Sequence, residues 1–111
     1  MIDRIPTLLG FLADDPEDAF TRFALAQEYA KRGDLEQSLG HYQALVREQP
    51  DYVGTYYHLG KLLEAVRRKG EAEQVYRAGI AVAERLRDAH SRAELNDALL
   101  NLQGLGWDDD E

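Results

Sequence analysis

The sequence predicts an all-helical protein of about six short helices, and three observations carry that reading. The chain repeats itself at a 34-residue step. Its apolar residues recur at helical spacing, with no run of the period-two alternation that marks a half-buried strand. Asp, Pro and Gly fall where helices would begin and end.

The repeat is visible residue by residue. A shift of 34 superposes Phe23 on Tyr57, Leu25 on Leu59, Ala26 on Gly60, Ser38 on Ala72, Tyr42 on Tyr76 and Ala44 on Ala78. The same step backwards carries Tyr42 onto Leu8, Leu45 onto Phe11, Val46 onto Leu12 and Pro50 onto Pro16, so the N-terminus reads as the second half of an earlier unit. Forwards the match fails, because Ala93 and Glu94 fall where Leu59 and Gly60 stood. The predicted organisation is one domain over residues 1–106: a half repeat (4–16), repeat one (19–52), repeat two (53–86) and a capping helix (91–103). An acidic tail, 107–111, follows.

Each unit reads as two helices. In the first, Asp15 can accept from the free amides of a helix start, Pro16 suits the first helical position, and Glu17 and Asp18 complement the positive end of the dipole. That helix runs to about Arg32, where Gly33 supplies a left-handed stop. Asp34 caps the next, with Gln37 three residues on as in a capping box, and Pro50 marks its end. Asp51 restarts the pattern with a helix to about Arg68, a turn at Lys69-Gly70 and a helix from Glu71 to about Leu86. In the last segment Ser91 and Glu94 form a capping box. Leu95, Ala98, Leu99 and Leu102 then make an apolar stripe that can cover the second unit, while Arg92, Asp97 and Asn101 keep the rear polar. This helix ends near Gly104, with Trp107 and the acids expected to be mobile. Residues 4–14 form the lid at the other end, as a short array needs.

The spacing resembles the tetratricopeptide repeat, a large or aromatic residue, then Leu-Gly, then Ala, an aromatic and Pro on a 34-residue period. The second unit gives Tyr56-x-x-Leu59-Gly60-x-x-Leu63 and Ala72-x-x-x-Tyr76, with Glu84 where proline is usual. The first gives Arg22-x-x-Leu25-Ala26-x-x-Tyr29, Ser38-x-x-x-Tyr42 and Pro50. Arg22, Ser38 and Leu63 depart from the pattern, and the second turn glycine, Gly70, comes three residues late. The resemblance covers residues 4 to about 86 and implies a right-handed antiparallel helix-turn-helix solenoid.

At about 100° per residue, Tyr56, Leu59, Gly60 and Leu63 share one face. A small residue there, Gly60 or Ala26, lets the partner helix approach and its aromatic, Tyr76 or Tyr42, pack close. In the family the first helices of successive repeats line a concave groove that binds a peptide or protein segment. The resemblance places Phe20, Phe23, Gln27 and Lys31 there in the first unit, and Gly54, Tyr57, Lys61 and Glu64 in the second. Aromatic anchors suit apolar side chains, and Lys31 and Lys61 a carboxylate. Phe20 and Phe23 have a second reading, packing on the N-terminal half repeat. The chaperone-tail clamp found in one branch of the family is not expected: its donor positions hold Phe23, Gln27 and His58, and a full third repeat is lacking.

Composition narrows the partner. Thirteen Lys and Arg against twenty-one Asp and Glu leave a net charge of −8, and the body without the four acids of 108–111 still carries −4. Nucleic acid and anionic membranes are therefore not expected as partners. His41, His58 and His90 lack metal-ligand spacing, and no nucleophile elbow or phosphate loop is present. Neither metal, cofactor nor enzymatic activity is predicted. The absence of cysteine suits a reducing compartment, no stretch reads as a signal or a membrane span, and a cytoplasmic location is the default. Arg67-Arg68-Lys69 reads as a helix C-terminus complementing its dipole, or as a site for an acidic partner. The function expected is binding of a protein or peptide. The alternative is homodimerisation through an exposed end of the array and Trp107.

Overall fold

The computed structural model describes residues 3–104. Expectations for Trp107 and the acidic tail lie outside them. Six helices and no strand occur among the described residues: α1 (Ile5–Asp14), α2 (Ala19–Lys31), α3 (Leu35–Glu48), α4 (Gly54–Ala65), α5 (Lys69–Arg85) and α6 (Ala89–Leu102). The chain divides between Tyr52 and Val53 into two compact units. In the first, α2 packs on α3 and α1 on α2; in the second, α5 packs on both α4 and α6, and α6 also touches α4.

One turn design joins the hairpins. After α2, Gly33 adopts φ +82°, its amide donates to the Ala30 carbonyl at 3.0 Å and the Asp34 amide reaches back to Tyr29 at 2.9 Å. This is a Schellman stop, which satisfies carbonyls that the helix end leaves unpaired. It recurs after α4, where the Arg67 amide bonds to Glu64 (3.0 Å) and Arg68 to Leu63 (2.8 Å). After α5, Arg87 bonds to Glu84 (3.1 Å) and Asp88 to Ala83 (2.8 Å). Arg67 and Arg87 hold φ +65° and +59°, a region that costs a residue with a Cβ about 1 kcal/mol or more.

Four boundaries differ from the sequence expectation. The cap of α2 is Asp18, whose carboxylate accepts from the Thr21 amide and hydroxyl, while Asp15 instead closes a small turn onto the Glu17 amide and Pro16 lies in that turn. The helix after Asp51 begins three residues later, at Gly54. The second hairpin turns at Val66–Arg68, and Gly70 sits inside the first turn of α5. The left-handed position is thus Arg67, one repeat length after Gly33, and the turn glycine is replaced rather than delayed. Finally α6 starts at Ala89, capped by Asp88, which accepts from the Ser91 amide at 3.0 Å and hydroxyl at 2.7 Å. Asp34 caps α3 through the Gln37 amide, as expected.

The core of the second unit is built on two glycines. A Cβ on Gly60 would stand 2.1 Å from Cε1 of Tyr76, and one on Gly79 would stand 2.5 Å from Cβ of Tyr56 and 3.0 Å from Leu95 of α6. Each helix of the α4–α5 pair therefore offers a tyrosine to a glycine of the other, and the same Gly79 admits the buried stripe Leu95, Ala98 and Leu99 of α6. Small against large brings the interior to close-packed density. In the first unit Ala26 and Tyr42 take the places of Gly60 and Tyr76 and are likewise buried. The second pair is recast: Leu45 occupies the place of Gly79 and fills it from its own side, and half-buried Arg22 stands where Tyr56 would be. Ser38, where the repeat prefers alanine, is fully buried, and its hydroxyl donates to the Ala26 carbonyl at 2.7 Å, so the departure leaves no polar atom unpaired.

Candidate functional site

On α2, Phe20 stands 69% exposed and Lys31 is exposed beside Glu28 at 3.5 Å, while Gln27 is half-buried. Phe23 belongs to an aromatic cluster: its ring meets Tyr42 edge-on at 5.8 Å and Tyr52 at 5.7 Å. Those partners lie on α3 and just after it, not on the N-terminal half repeat. Burial pushes the Tyr42 phenol up to about 12, so it stays a neutral donor.

On α4, exposed Lys61 holds its ammonium 5.7 Å from the centre of the half-buried Tyr57 ring, a cation–π geometry, and the edge of His58 meets the same ring at 5.5 Å. Lys61 also stands 3.9 Å from Glu64. Glu64 is not an open groove acid, for its carboxylate accepts the hydroxyl of buried Tyr76. Burial first, and this bond next, push the Tyr76 phenol far up. Fixing Glu64 leaves Lys61 as the cation able to swing from Tyr57 to an incoming group. Gly54 is exposed at the start of the helix.

The histidines lie apart from these surfaces or at their edge. His41 stacks on Tyr29 with ring centroids 5.6 Å apart and planes at 8°, and its Nδ1 is buried without a partner among the described residues. Burial, then nearby Arg22, lowers its pKa. Burial also lowers His58, against an opposing pull from Glu94. Exposed His90 sits 4.0 Å from Glu94. Among the described residues no three His, Asp or Glu side chains converge in a way that could hold a metal. No described helix is long and apolar enough to cross a membrane.

Sequence periodicity brought Tyr57, Lys61 and Glu64 to one side of a helix, and the structure brings them into contact. It missed the Tyr76–Glu64 bond and the ring cluster around Phe23, both of which depend on side chains from different helices. It also missed a cavity of about 380 Å³ at the α5–α6 turn, lined by Ala83, Glu84, Arg87, Asp88, Ala89 and Arg92.

Two helix hairpins related by a 34-residue step, each with a small residue under an aromatic, define a helical-repeat module. Solved structures place it more narrowly. A tetratricopeptide repeat domain protein from Salinibacter ruber, determined by solution NMR, is 47% identical over 84% of this chain and 94% of its own, with a TM-score of 0.78. A crystal structure of a tetratricopeptide repeat domain protein from the same organism is 47% identical over 80% and 99%, with a TM-score of 0.76. The solution structure of a protein from Bordetella parapertussis is 27% identical over 93% and 90%, with a TM-score of 0.78. Neither a scan against protein-family models nor a search of curated proteins finds a match. The chain belongs to the tetratricopeptide repeat family.

Proposed function

We propose that the protein is a non-catalytic interaction module that binds a peptide or protein segment on the outward faces of its first helices. In one unit the surface is α2 with Phe20, Phe23, Gln27 and Lys31; in the other it is α4 with Tyr57, Lys61 and Glu64. The observation that carries this reading is the α4 triad. Tyr57 offers a half-buried aromatic face, Lys61 lies over it, and Glu64 is held by Tyr76, so the surface is ordered before a ligand arrives. A segment with an apolar side chain for the ring and a carboxylate for the lysine fits that chemistry. The net charge of −8 argues against a nucleic-acid partner. The test is a peptide-display selection on the folded chain, followed by affinity measurement with Tyr57→Ala/Lys61→Ala. A loss of about tenfold or more at unchanged melting temperature is expected, from about 1.4 kcal/mol or more of lost contact. Equal affinity moves the site elsewhere.

Homodimerisation is the second reading, favoured by the outer side of α1, where Leu9 and Phe11 are 43% and 55% exposed. A monomeric mass in light scattering at several hundred micromolar sinks it.

A further inference from the structure

One end of the second unit is cationic. The turn between α4 and α5 carries Arg67, Arg68 and Lys69 in succession, with Arg77 two turns along α5. Two acids share this end and both are engaged: Glu71 takes both guanidinium contacts of Arg68 at 2.7 Å, and Glu73 pairs with Arg77 at 2.9 Å. Arg67 and Lys69 are exposed and have no carboxylate partner among the described residues. The left-handed backbone of Arg67 is fixed by the turn, so this cation is displayed rather than folded back into a helix.

The end of α6 comes to the same place. The Gln103 amide lies 3.4 Å from the Glu73 carboxylate, and that carboxylate also feels the charge of Lys69. Lys69 begins α5 four residues before Glu73, about 6 Å along the axis. The chain then continues past Gly104 to Asp108-Asp109-Asp110-Glu111, four acids in a row. Four residues of extended chain span at most about 14 Å, enough to bring Asp108 from Gly104 to Lys69 and Arg67.

We propose that the acidic run Asp108–Glu111 docks on the cationic turn Arg67–Lys69 of its own chain and occupies that surface against other acidic ligands. Charge complementarity and the reach from Gly104 select this occupant. Contacts between such exposed charges are individually weak and salt-screened, with a Debye length of about 10 Å at 0.1 M, so the docked state is one that salt releases.

The test uses the full chain, with backbone amide NMR and the emission of its single tryptophan, Trp107, which directly precedes Gly106's neighbouring acids at the start of the tail. At low salt the wild-type chain is expected to show amide order parameters for 108–111 above about 0.6, falling well below that value at 0.5 M salt. Arg67→Gln/Lys69→Gln is expected to show the low values at both salt concentrations, with unchanged helical circular dichroism and a shifted Trp107 emission. Neutralising the tail as Asp108→Asn/Asp109→Asn/Asp110→Asn/Glu111→Gln is expected to shift the Arg67 and Lys69 amide resonances. Identical order parameters in wild type and the Arg67/Lys69 variant overturn the proposal. So does a salt effect that vanishes on dilution, which would place the tail on a second copy.

Discussion

Gly60→Ala adds one methyl group where the structure has no room for it. The new Cβ would fall 2.1 Å from Cε1 of Tyr76 and 2.6 Å from its Cζ, against an ordinary carbon contact of about 3.5–4.0 Å. Relief needs roughly 1.4 Å of movement. The ring cannot easily supply it, because Tyr76 is fully buried and its hydroxyl is tied to Glu64. Alanine gains about 1 kcal/mol over glycine in helix propensity, which offsets part of an overpacking cost of about 3 kcal/mol. The net expectation is a loss of about 2 kcal/mol, or on the order of 10 °C in melting temperature. Urea denaturation followed by circular dichroism measures it. Gly40→Ala is the matched control: a Cβ there meets nothing within 4 Å on an exposed position of α3, so it should stabilise by about 0.5–1 kcal/mol. If both substitutions stabilise equally, the close approach of α4 and α5 at Gly60 is wrong.

Three further outcomes follow from particular contacts. Ser38→Ala restores the residue the repeat prefers yet loses the bond to the Ala26 carbonyl, and should cost about 1 kcal/mol in denaturant titration. Arg67→Gly and Arg87→Gly relieve positive φ and should each raise stability by about 0.5–1 kcal/mol; a loss in both would refute the strain at these turns. His41 has a folded pKa below its ordinary 6.5, so the unfolded chain takes up the proton first. Its stabilising contribution is complete above the unfolded pKa and is lost as pH falls below about 6.5 towards the depressed folded value. The unfolding free energy of wild type should therefore drop more steeply between pH 7.5 and 5.5 than that of His41→Phe, and parallel curves would show that its burial does not matter.

The repeat register was the most legible feature of the sequence, and where it conflicted with local cues it was the better guide. Glycine was sought for the second turn because it enters the left-handed region freely, and that search stopped at Gly70. The 34-residue step from Gly33 points to Arg67, which takes φ +65° despite its Cβ, because the Schellman bonds and the packing of both helices fix the turn. At the start of α2, the run Asp14-Asp15-Pro16-Glu17-Asp18 offers several caps of nearly equal propensity, and only the position of the helix against its neighbours selects Asp18. Ser91 has the composition of a cap but serves as the residue that a preceding aspartate caps. For the candidate surface, helical angle sufficed to align Tyr57, Lys61 and Glu64. It could not tell that Glu64 is spoken for, because the hydroxyl that holds it arrives from α5, twelve residues later.

The crossed tyrosine–glycine pairs of the second unit bear on how that unit can move. For α4 to slide along α5, Tyr76 must leave the notch at Gly60 while Tyr56 leaves the notch at Gly79, and neither can climb out alone. Shear between packed helices is a common way for a protein to adjust to a ligand. Here two opposed teeth block it, and α4 must present Tyr57 and Lys61 as a fixed plate. The first unit has leucine and arginine where the second tooth and notch would be. Accommodation of a ligand by axial slippage is therefore open to α2 against α3 and closed to α4 against α5.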